Sequence, residues 1–369
     1  MEGQAKIKIV IADDDRLVRS LLGQVLGACP QLELVGQAAD GRRAVEEVER
    51  LNPDGVVLDM EMPGMDGLEV LRALRKSRPR IKTIIFCSGS PRSASVSTQA
   101  LLEGASDFIL KPSTGSLEES RDYLRSQLLP RILDICRPAP FPAFGAPQAA
   151  PPPPAPRPAS ASGRARLCCI WASTGGPRAV EAVLRALPAD LPVPVLVVVH
   201  MPPIFSRSLA DSLDKACAIR VHEAVQGEPV LPGVAYLAPG DWHMELDPAG
   251  PPWRLRLGQG PPENSCRPSV DVLFRSAARC LGRGVLAAVL TGMGQDGTRG
   301  SEAVLQAGGR VLAQDEASSV VWGMPGFVVK AGLAEAVLPV DRIAEALMQR
   351  IWMPGAGTTP PARVKTEAP

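Results

Sequence analysis

The chain has 369 residues, with 40 Lys or Arg against 39 Asp or Glu, so its formal net charge is +1. This balance argues against a protein that holds nucleic acid through a strongly basic field, and we expect no nucleic-acid partner. The most apolar runs, 193–199 and 285–290, are far shorter than the roughly 20 residues that cross a bilayer. Because the start also lacks the pattern of a secretory signal, the sequence predicts a cytoplasmic protein without membrane insertion.

Proline divides the chain into two halves. Residues 138–161 contain ten Pro and eight Ala, with Arg157 as the only charged residue. Such a segment cannot form regular hydrogen-bonded ladders and is typical of an extended linker. The length also suits two domains. We therefore predict domains at 1–137 and 164–353, a linker at 138–163 and a disordered tail at 354–369.

The first half alternates strand and helix patterns in chain order. Predicted strands lie at 7–12, 32–38, 55–58, 83–87 and 107–110, and predicted helices at 16–26, 41–51, 67–77, 93–103 and 116–136. This alternation predicts an α/β domain with a doubly wound parallel sheet. Binding and catalytic residues of such sheets gather at the carboxyl ends of the strands.

Charged and hydroxyl residues follow four of these strands. They are Asp13 and Asp14, Asp59, Ser88 and Lys111, in that order. Carboxylates that converge on one pocket repel each other, and a divalent cation such as Mg²⁺ relieves that repulsion. Asp59 can then act as a nucleophile toward a phosphoryl group, while the metal and Lys111 neutralise the charge on the transferred oxygens.

The motifs around these residues resemble a response-regulator receiver domain of the flavodoxin-like type. They read A-D-D-D-R-L-V-R, D-M-E-M-P-G-M-D-G, S-G-S and F-I-L-K-P. The resemblance implies that a histidine kinase of the chemotaxis type phosphorylates Asp59. It implies Mg²⁺ ligands at Asp13, Asp14, Asp59 and the Glu61 carbonyl, and switch residues Ser88, Lys111 and Phe108. On this alignment Asp15 caps the following helix.

The second half opens on a short strand, 167–172, that runs into S-T-G-G and a helix at 179–187. This turn exposes the Ser173 hydroxyl at the sheet edge and places backbone N–H groups at a helix N-terminus. Two interpretations remain open at this point: Ser173 is a nucleophile, or the loop cradles a phosphate. The loop contains no Lys, which weakens the nucleotide interpretation.

A catalytic Ser needs a His, and the chain has only His200, His222 and His243. We favour His200 because it directly follows the buried strand 193–199, which ends at the same sheet edge as Ser173. Asp296 lies in a Gly-rich loop after the apolar run 285–290, where its carboxylate could orient the imidazole.

These stretches resemble the chemotaxis response-regulator protein-glutamate methylesterases. The matching segments are A-S-T-G-G-P, V-H-M-P-P, E-P-V-L-P-G-V-A-Y-L-A-P-G, R-P-S-V-D-V-L-F, L-T-G-M-G-Q-D-G and A-Q-D-E-A-S-S-V-V-W-G-M-P. The resemblance implies a Rossmann-like domain with Ser173, His200 and Asp296 as catalytic triad and Met293 and Thr174 as support for the oxyanion. It implies methylated chemoreceptor cytoplasmic domains as substrates, glutamine deamidation as a second reaction, and no cofactor in this half. Val199 departs from the family pattern, in which a Gln is expected.

Three further expectations complete the interpretation. The unphosphorylated receiver should cover or misalign the catalytic cleft, and phosphorylation should favour an open form. The alternatives are a phosphorylation-dependent binding module and a methylesterase that acts outside chemotaxis. The eight Cys lack metal-like spacing and are expected to be small buried residues.

Overall fold

A computed structural model describes residues 5–112, 115–136 and 164–352. The predicted linker, 138–163, and the predicted tail, 354–369, lie outside the described residues. None of the helices in the described ranges combines the length and the apolar character that crossing a membrane requires.

The first unit is the predicted five-stranded parallel sheet with helices between the strands. The strands are β1 (Ile7–Ala12), β2 (Leu32–Ala38), β3 (Gly55–Asp59), β4 (Lys82–Cys87) and β5 (Asp107–Leu110). The helices are α1 (Arg16–Gly27), α2 (Gly41–Leu51), α3 (Gly67–Ser77), α4 (Pro91–Leu102) and α5 (Leu117–Cys136). The strand order β2-β1-β3-β4-β5 makes β3 central, and all of its residues are buried. A strand covered on both faces requires the continuous apolar run that this sequence has.

Side-chain caps fix where the receiver helices begin. The Asp15 carboxylate accepts hydrogen bonds from the backbone of Leu17 and Val18, which confirms the predicted cap of α1. Asp66 and Glu69 form a reciprocal capping box at the start of α3. These caps satisfy N–H groups that a helix leaves unpaired in its first turn. They therefore set the ends of the loops that carry the acidic residues.

The second unit is also built on a parallel sheet. Its strands are β6 (Leu167–Ala172), β7 (Val195–Val199), β8 (Arg220–Glu223), β9 (Val234–Leu237), β10 (His243–Leu246), β11 (Leu255–Gly258), β12 (Val285–Val289), β13 (Arg310–Gln314) and β14 (Ala336–Leu338). Its helices are α6 (Gly176–Arg185), α7 (Pro203–Ala216), α8 (Val270–Leu281), α9 (Thr298–Gln306), α10 (Met324–Lys330) and α11 (Val340–Ile351), with a short 3₁₀ turn at Gly282–Gly284.

The strand order of this sheet is β14-β13-β12-β6-β7-β9-β8, and every pairing within it is parallel. Strands β10 and β11 form a separate antiparallel pair that the sequence did not indicate. The centre of the sheet is β12-β6-β7, all of it buried. These are the three strands after which Ser173, His200 and Asp296 follow.

The two units pack against each other through helices and one aromatic pair. Helix α4 of the receiver contacts α6 and α7 of the second unit. Phe108 on β5 stacks on Phe205 of α7, with ring centroids 4.5 Å apart. One apolar cluster includes buried residues of both units, such as Leu101 and Phe205. The receiver is therefore docked by burial of apolar surface.

Candidate active site and phosphorylation site

The turn after β6 presents Ser173 at the sheet edge. Gly175 caps α6 with a φ of +74°, in the left-handed region that favours glycine. A Cβ on Gly175 would also lie 2.5 Å from the Val320 side chain. The Ser173 N–H donates to the Thr291 carbonyl at 3.0 Å, which ties this turn to the loop after β12. Gly175 is thus required by the backbone at this turn, independently of any chemistry at Ser173.

His200 and Asp296 are in direct contact. The Nε2 atom of His200 lies 3.0 Å from Oδ2 of Asp296, although 96 residues separate them. The other ring nitrogen, Nδ1, lies 3.5 Å from the Cys266 thiol. Among the described residues no hydrogen bond joins the Ser173 hydroxyl to His200, but both residues line the same cavity. The sheet edge therefore brings together the three predicted residues, with Nδ1 as the ring nitrogen that faces away from the carboxylate.

The other two histidines have different surroundings. His222 Nε2 pairs with Glu228 at 2.9 Å on a partly buried strand. His243 is buried in β10, where its Nδ1 accepts the Ser269 N–H and its Nε2 lies 3.1 Å from the Pro261 carbonyl. These contacts give His243 a structural position, one of the two that its sequence context left open.

Asp296 is a buried carboxylate with many donors. Its Oδ1 accepts from Ser269 Oγ at 2.6 Å and from Asn264 Nδ2 at 2.9 Å, and its Oδ2 accepts from Val270 N at 2.9 Å. The backbone donor lies at the N-terminus of α8, where the helix dipole stabilises a negative charge. The carboxylate thereby takes the place of a side-chain cap for α8, since Ser269 makes no capping bond.

The pKa values at this pair follow from these contacts. Burial alone would lower the pKa of His200, but the hydrogen bond to Asp296, the contact with Cys266 and the carboxylate charge outweigh burial and raise it. Burial would likewise raise the pKa of Asp296, but His200, Ser269 and Val270 N hold it below its ordinary value. Asp296 is therefore ionised at neutral pH and favours the charged form of the imidazole.

Two cavities meet at His200. One, of about 390 Å³, is lined by His200, Cys266, Met293 and residues of the Asn264 and Asp296 loops. The other, of about 270 Å³, contains Ser173 and Thr174 and is closed on one side by receiver residues that include Phe108 and Arg131. In this form of the molecule the receiver covers the Ser173 side of the cleft.

Polar contacts also join the receiver to the turn after β6. The Thr174 hydroxyl donates to Asp107 Oδ2 at 2.8 Å, and the Gly175 N–H donates to the Ser106 carbonyl at 3.0 Å. Arg131 Nε lies 3.3 Å from the same Asp107 oxygen. Burial raises the pKa of Asp107, and Arg131 and Thr174 only partly offset that effect. The receiver thus occupies two donors beside Ser173.

The acidic residues of the receiver converge as predicted. Ligand oxygens of Asp13, Asp14 and Asp59 all lie within 4.8 Å of one another. Lys111 Nζ lies 2.9 Å from Asp13 Oδ2 and 2.8 Å from Asp59 Oδ2. Burial raises the pKa of Asp59, and the Lys111 ammonium opposes that rise. Ser88 lies just after β4, where its hydroxyl is 3.2 Å from Ser90 Oγ, and Glu61 donates its N–H to Asp59 Oδ1 at 3.2 Å.

This pocket fits a divalent cation. Lys111 pairs with the buried Asp13 and Asp59 but not with the exposed Asp14, so three neighbouring carboxylates have one ammonium group beside them and the pocket keeps excess negative charge. Oxygen ligands of this kind suit Mg²⁺, which binds through one or two carboxylates together with phosphate oxygens. When bound, the ion would supply positive charge for the oxygens of a transferred phosphoryl group.

Sequence reasoning missed three features of the site. All eight Cys were expected to be small buried residues, but only Cys87, Cys168 and Cys169 are buried. The other five are partly buried, and one of them, Cys266, faces His200. Asn264 and the receiver residue Asp107 were not singled out at all. Asn264 lies in a loop with no periodic pattern, and only its position close before R-P-S-V-D could have drawn attention to it.

Two family models match the chain, one to each unit. The model for the response regulator receiver domain matches residues 9–120, and the model for the CheB methylesterase matches residues 168–347. These two matches agree with the acidic pocket of the first unit and with the hydroxyl, imidazole and carboxylate at one sheet edge of the second. The chain is a response regulator fused to a hydrolase domain.

Curated relatives agree over almost the whole chain. A protein-glutamate methylesterase/protein-glutamine glutaminase of Nocardioides is 45% identical over 94% of this chain and 95% of its own length. A second protein of this name, from Pseudomonas aeruginosa, is 43% identical over 95% of this chain and 99% of its own. The chain belongs to the family of protein-glutamate methylesterases/protein-glutamine glutaminases that carry a receiver domain. The crystal structure of the Thermotoga maritima CheB methylesterase catalytic domain is 41% identical and covers 51% of this chain and 99% of its own, with a TM-score of 0.49.

Proposed function

We propose that this chain hydrolyses glutamate γ-methyl esters on the cytoplasmic domains of bacterial chemoreceptors, and that phosphorylation of Asp59 switches the reaction on. The observation that carries the proposal is the 3.0 Å contact between His200 and Asp296 in a cleft that also contains Ser173. Ser173 is the nucleophile, His200 the general base, and Asp296 the carboxylate that orients and stabilises the imidazolium.

The reaction divides into two acyl-transfer steps. Ser173 Oγ attacks the ester carbonyl while its proton passes to His200 Nδ1, the ring nitrogen opposite Asp296. The tetrahedral intermediate then collapses, and methanol leaves with the proton from His200. Water then attacks the resulting glutamyl ester of Ser173 while His200 accepts its proton. When this second tetrahedral intermediate collapses, His200 returns the proton to Ser173 Oγ, which restores the serine and releases the glutamate carboxylate.

Backbone donors stabilise the oxyanion in this scheme. Met293 lines both cavities, and among the described residues its N–H donates to no acceptor. A free donor beside the nucleophile suits a transient negative charge, and one such donor is typically worth about 10²–10³ in rate. Thr174, which follows Ser173, shapes the same edge. The same acyl chemistry converts a glutamine amide, with ammonia in place of methanol, as the names of the relatives indicate.

Control by the receiver follows from its position over the cleft. Phosphorylation of Asp59 by a chemotaxis-type histidine kinase replaces the single negative charge of its carboxylate by an acyl phosphate that carries about −1.5 to −2, at a pocket that Lys111 already bridges. Lys111 follows β5, and the same strand presents Phe108 to Phe205 and Asp107 to Thr174. A shift of β5 on phosphorylation would weaken both contacts and favour an open form.

Methanol release from methylated chemoreceptor cytoplasmic domains tests the proposal. We expect release that a small phosphodonor with Mg²⁺ stimulates, and expect Asp59→Asn to remove the stimulation. Stimulation that persists in Asp59→Asn would contradict the proposed switch. If these receptor domains lose no methanol although Asp59 becomes phosphorylated, the function is a phosphorylation-dependent binding module or hydrolysis of another ester.

Removal of the Asp107 side chain should raise the activity of the unphosphorylated enzyme, because it weakens the contact between the receiver and the cleft. Asp107→Ala deletes the acceptor of the Thr174 hydroxyl and the partner of Arg131. Hydrogen bonds to charged groups contribute about 1.5–3 kcal/mol, so we expect basal methanol release to rise about 10-fold. The matched control is Asp122→Ala, which breaks an exposed ion pair with Arg125 on α5, the helix that also carries Arg131. Equal effects of the two variants would contradict a specific inhibitory contact.

Chelation of divalent metal should separate the two halves of the protein. With a chelator present, the carboxylates of Asp13, Asp14 and Asp59 lack their counter-charge, so we expect the phosphodonor to stimulate hydrolysis no longer. Basal methanol release should be unchanged, because Ser173, His200 and Asp296 need no metal in the proposed reaction. A parallel loss of basal release on chelation would contradict this division.

A further inference from the structure

The loop at 263–269 contacts both sides of the His200–Asp296 pair. Asn264 Nδ2 and Ser269 Oγ donate to Asp296 Oδ1, at 2.9 and 2.6 Å, while the Cys266 thiol lies 3.5 Å from His200 Nδ1. The Ser269 N–H is held in turn by the buried His243. Residues 263–269 therefore contact both His200 and Asp296, although this segment follows neither β7 nor β12, the strands that precede those two residues.

The Asn264 side chain connects two buried carboxylates. Its Nδ2 lies 2.9 Å from Asp296 Oδ1 and 2.9 Å from Asp271 Oδ2. An amide nitrogen carries two hydrogens, so each carboxylate receives one. Asp271 is itself fixed, because its Oδ1 accepts the Gly300 N–H at 2.5 Å. Both carboxylates are almost inaccessible to solvent, with exposures of 0% for Asp271 and 2% for Asp296.

The backbone of this loop is held in an unusual conformation. Asn264 and the next residue, Ser265, have φ values of +52° and +61°, in the left-handed region. Residues other than glycine adopt it uncommonly, and Asn is among those that tolerate it best. Backbone conformations of this kind persist where surrounding contacts require them, often at functional sites.

We propose that Asn264 is a positioning residue for hydrolysis, which fixes the rotation of the Asp296 carboxylate and through it the tautomer of His200. The inference rests on the proposed function. Asp296 Oδ1 is held by Asn264 and Ser269, which leaves Oδ2 directed at His200 Nε2. A proton held on Nε2 leaves Nδ1 unprotonated, and Nδ1 is the nitrogen that must accept the Ser173 proton.

Asp271 determines which way the Asn264 amide faces. As a carboxylate it can only accept, so the NH₂ group must turn toward it and therefore also toward Asp296. In Asp271→Asn, the Gly300 N–H would keep the carbonyl oxygen and the new amide nitrogen would face Asn264. The Asn264 amide would then flip and place its oxygen against Asp296 Oδ1. The pair thus acts as a unit, although Asp271 has no side-chain contact with His200.

The test uses the full-length protein with phosphodonor and a methylated chemoreceptor cytoplasmic domain. Asn264→Gly removes the side-chain amide, and glycine adopts the positive φ of this position without steric cost. We expect kcat to fall about 10- to 100-fold with KM changed by less than about twofold, since loss of such supporting contacts typically has this size. Asp271→Asn should give a similar loss, and the double variant should be no worse than the more severe single variant.

A proton resonance distinguishes positioning from a general structural effect. The His200 Nε2–H donated to a buried carboxylate should give a low-field signal, which is simple to assign because the chain has only three His. We expect both variants to weaken or lose that signal while circular dichroism stays unchanged. The matched control is Asn52→Gly, which replaces another left-handed Asn, at φ +46° in the receiver, and should change neither kcat nor the signal.

The outcomes separate this inference from the proposed function. Wild-type kcat and an unchanged signal in Asn264→Gly, with Ser173→Ala inactive, would overturn the role of Asn264 and leave the proposed function intact. Hydrolysis that survives in Ser173→Ala would instead overturn the proposed function. If Asn264→Gly does not fold, Asp271→Asn decides, because it keeps the volume of the side chain and changes only the direction of one hydrogen bond.

Discussion

Ser173→Ala should reduce methanol release by about 10⁴- to 10⁶-fold, which is the range seen when the nucleophile of a serine triad is removed. The physical reason is that the acyl intermediate of the proposed reaction forms on the Ser173 hydroxyl, and Ala offers no nucleophile in its place. Thr174, the adjacent residue, has its hydroxyl hydrogen-bonded to Asp107. The measurement is single-turnover methanol release from a methylated chemoreceptor domain, with receiver phosphorylation monitored in parallel.

Ser212→Ala is the matched control for this variant. Ser212 lies within α7, and its hydroxyl donates to the Ser208 carbonyl of the same helix, away from the cleft. The control should keep the wild-type rate, and both variants should be phosphorylated normally. A rate in Ser173→Ala within about tenfold of wild type would show that Ser173 does not carry the acyl group.

Asp296→Asn should reduce the rate by about 10⁴-fold while the fold is retained. The Asn carbonyl can still accept hydrogen bonds at one position, but its NH₂ group must face one of the donors that now surround the carboxylate. Those donors are His200 Nε2, Ser269 Oγ, Asn264 Nδ2 and the backbone N–H of Val270. The imidazole then loses the tautomer in which Nδ1 carries no proton, and it also loses the stabilisation of its charged form.

The pH profile gives this second prediction an independent signature. The Asp296 carboxylate raises the pKa of His200, so in the wild type the base is lost by protonation at a higher pH than for a free imidazole. Asn at position 296 removes that charge and lowers the pKa of His200. The acid limb of the kcat/KM profile should therefore move to lower pH, even though its plateau falls.

Asp247→Asn is the control for the amide substitution. Asp247 accepts the Ala249 N–H at 2.9 Å in a turn distant from the cleft, a role that an Asn oxygen can fill. Its rate and pH profile should match the wild type. An unshifted acid limb in Asp296→Asn would contradict the assignment of that limb to His200.

The architecture was predictable because both units repeat the same simple pattern. Apolar runs such as 55–58 and 193–199 are typical of buried strands. The helix after the first run begins at the Asp66–Glu69 capping box, whereas α7, after the second, begins at Pro203 without a side-chain cap. The predicted receiver elements agree with the observed ones to within a few residues at their ends. The antiparallel pair β10 and β11 was missed because each strand has only four residues, so the alternation in its sequence is too short to stand out from the surrounding loops.

The site was predictable only where it lies at strand ends. Ser173, His200 and the acidic residues of the receiver follow strands directly, so the topology of a parallel sheet brings them to one edge. Asn264 and Cys266 come from an irregular loop whose path depends on tertiary contacts and left-handed residues, which no local pattern specifies. The contact of Asp107 with Thr174 depends on how two domains dock, and surface complementarity of that kind is not encoded in periodicity.

The length of strand β5 sets the distance between the acidic pocket and the contact with Thr174. It is only four residues long, with Asp107 at its first position and Lys111 immediately after its last. At about 3.3 Å per residue, Lys111, which contacts Asp59, and Asp107, which accepts the Thr174 hydrogen bond, are separated by little more than 13 Å along a strand that, within the described ranges, pairs with β4 alone. A strand of four residues has little room to bend, so a displacement of Lys111 at one end also moves Asp107 at the other. Strand β5 therefore joins the acidic pocket directly to the covered edge of the cleft, in parallel with the contacts that α4 makes with α6 and α7.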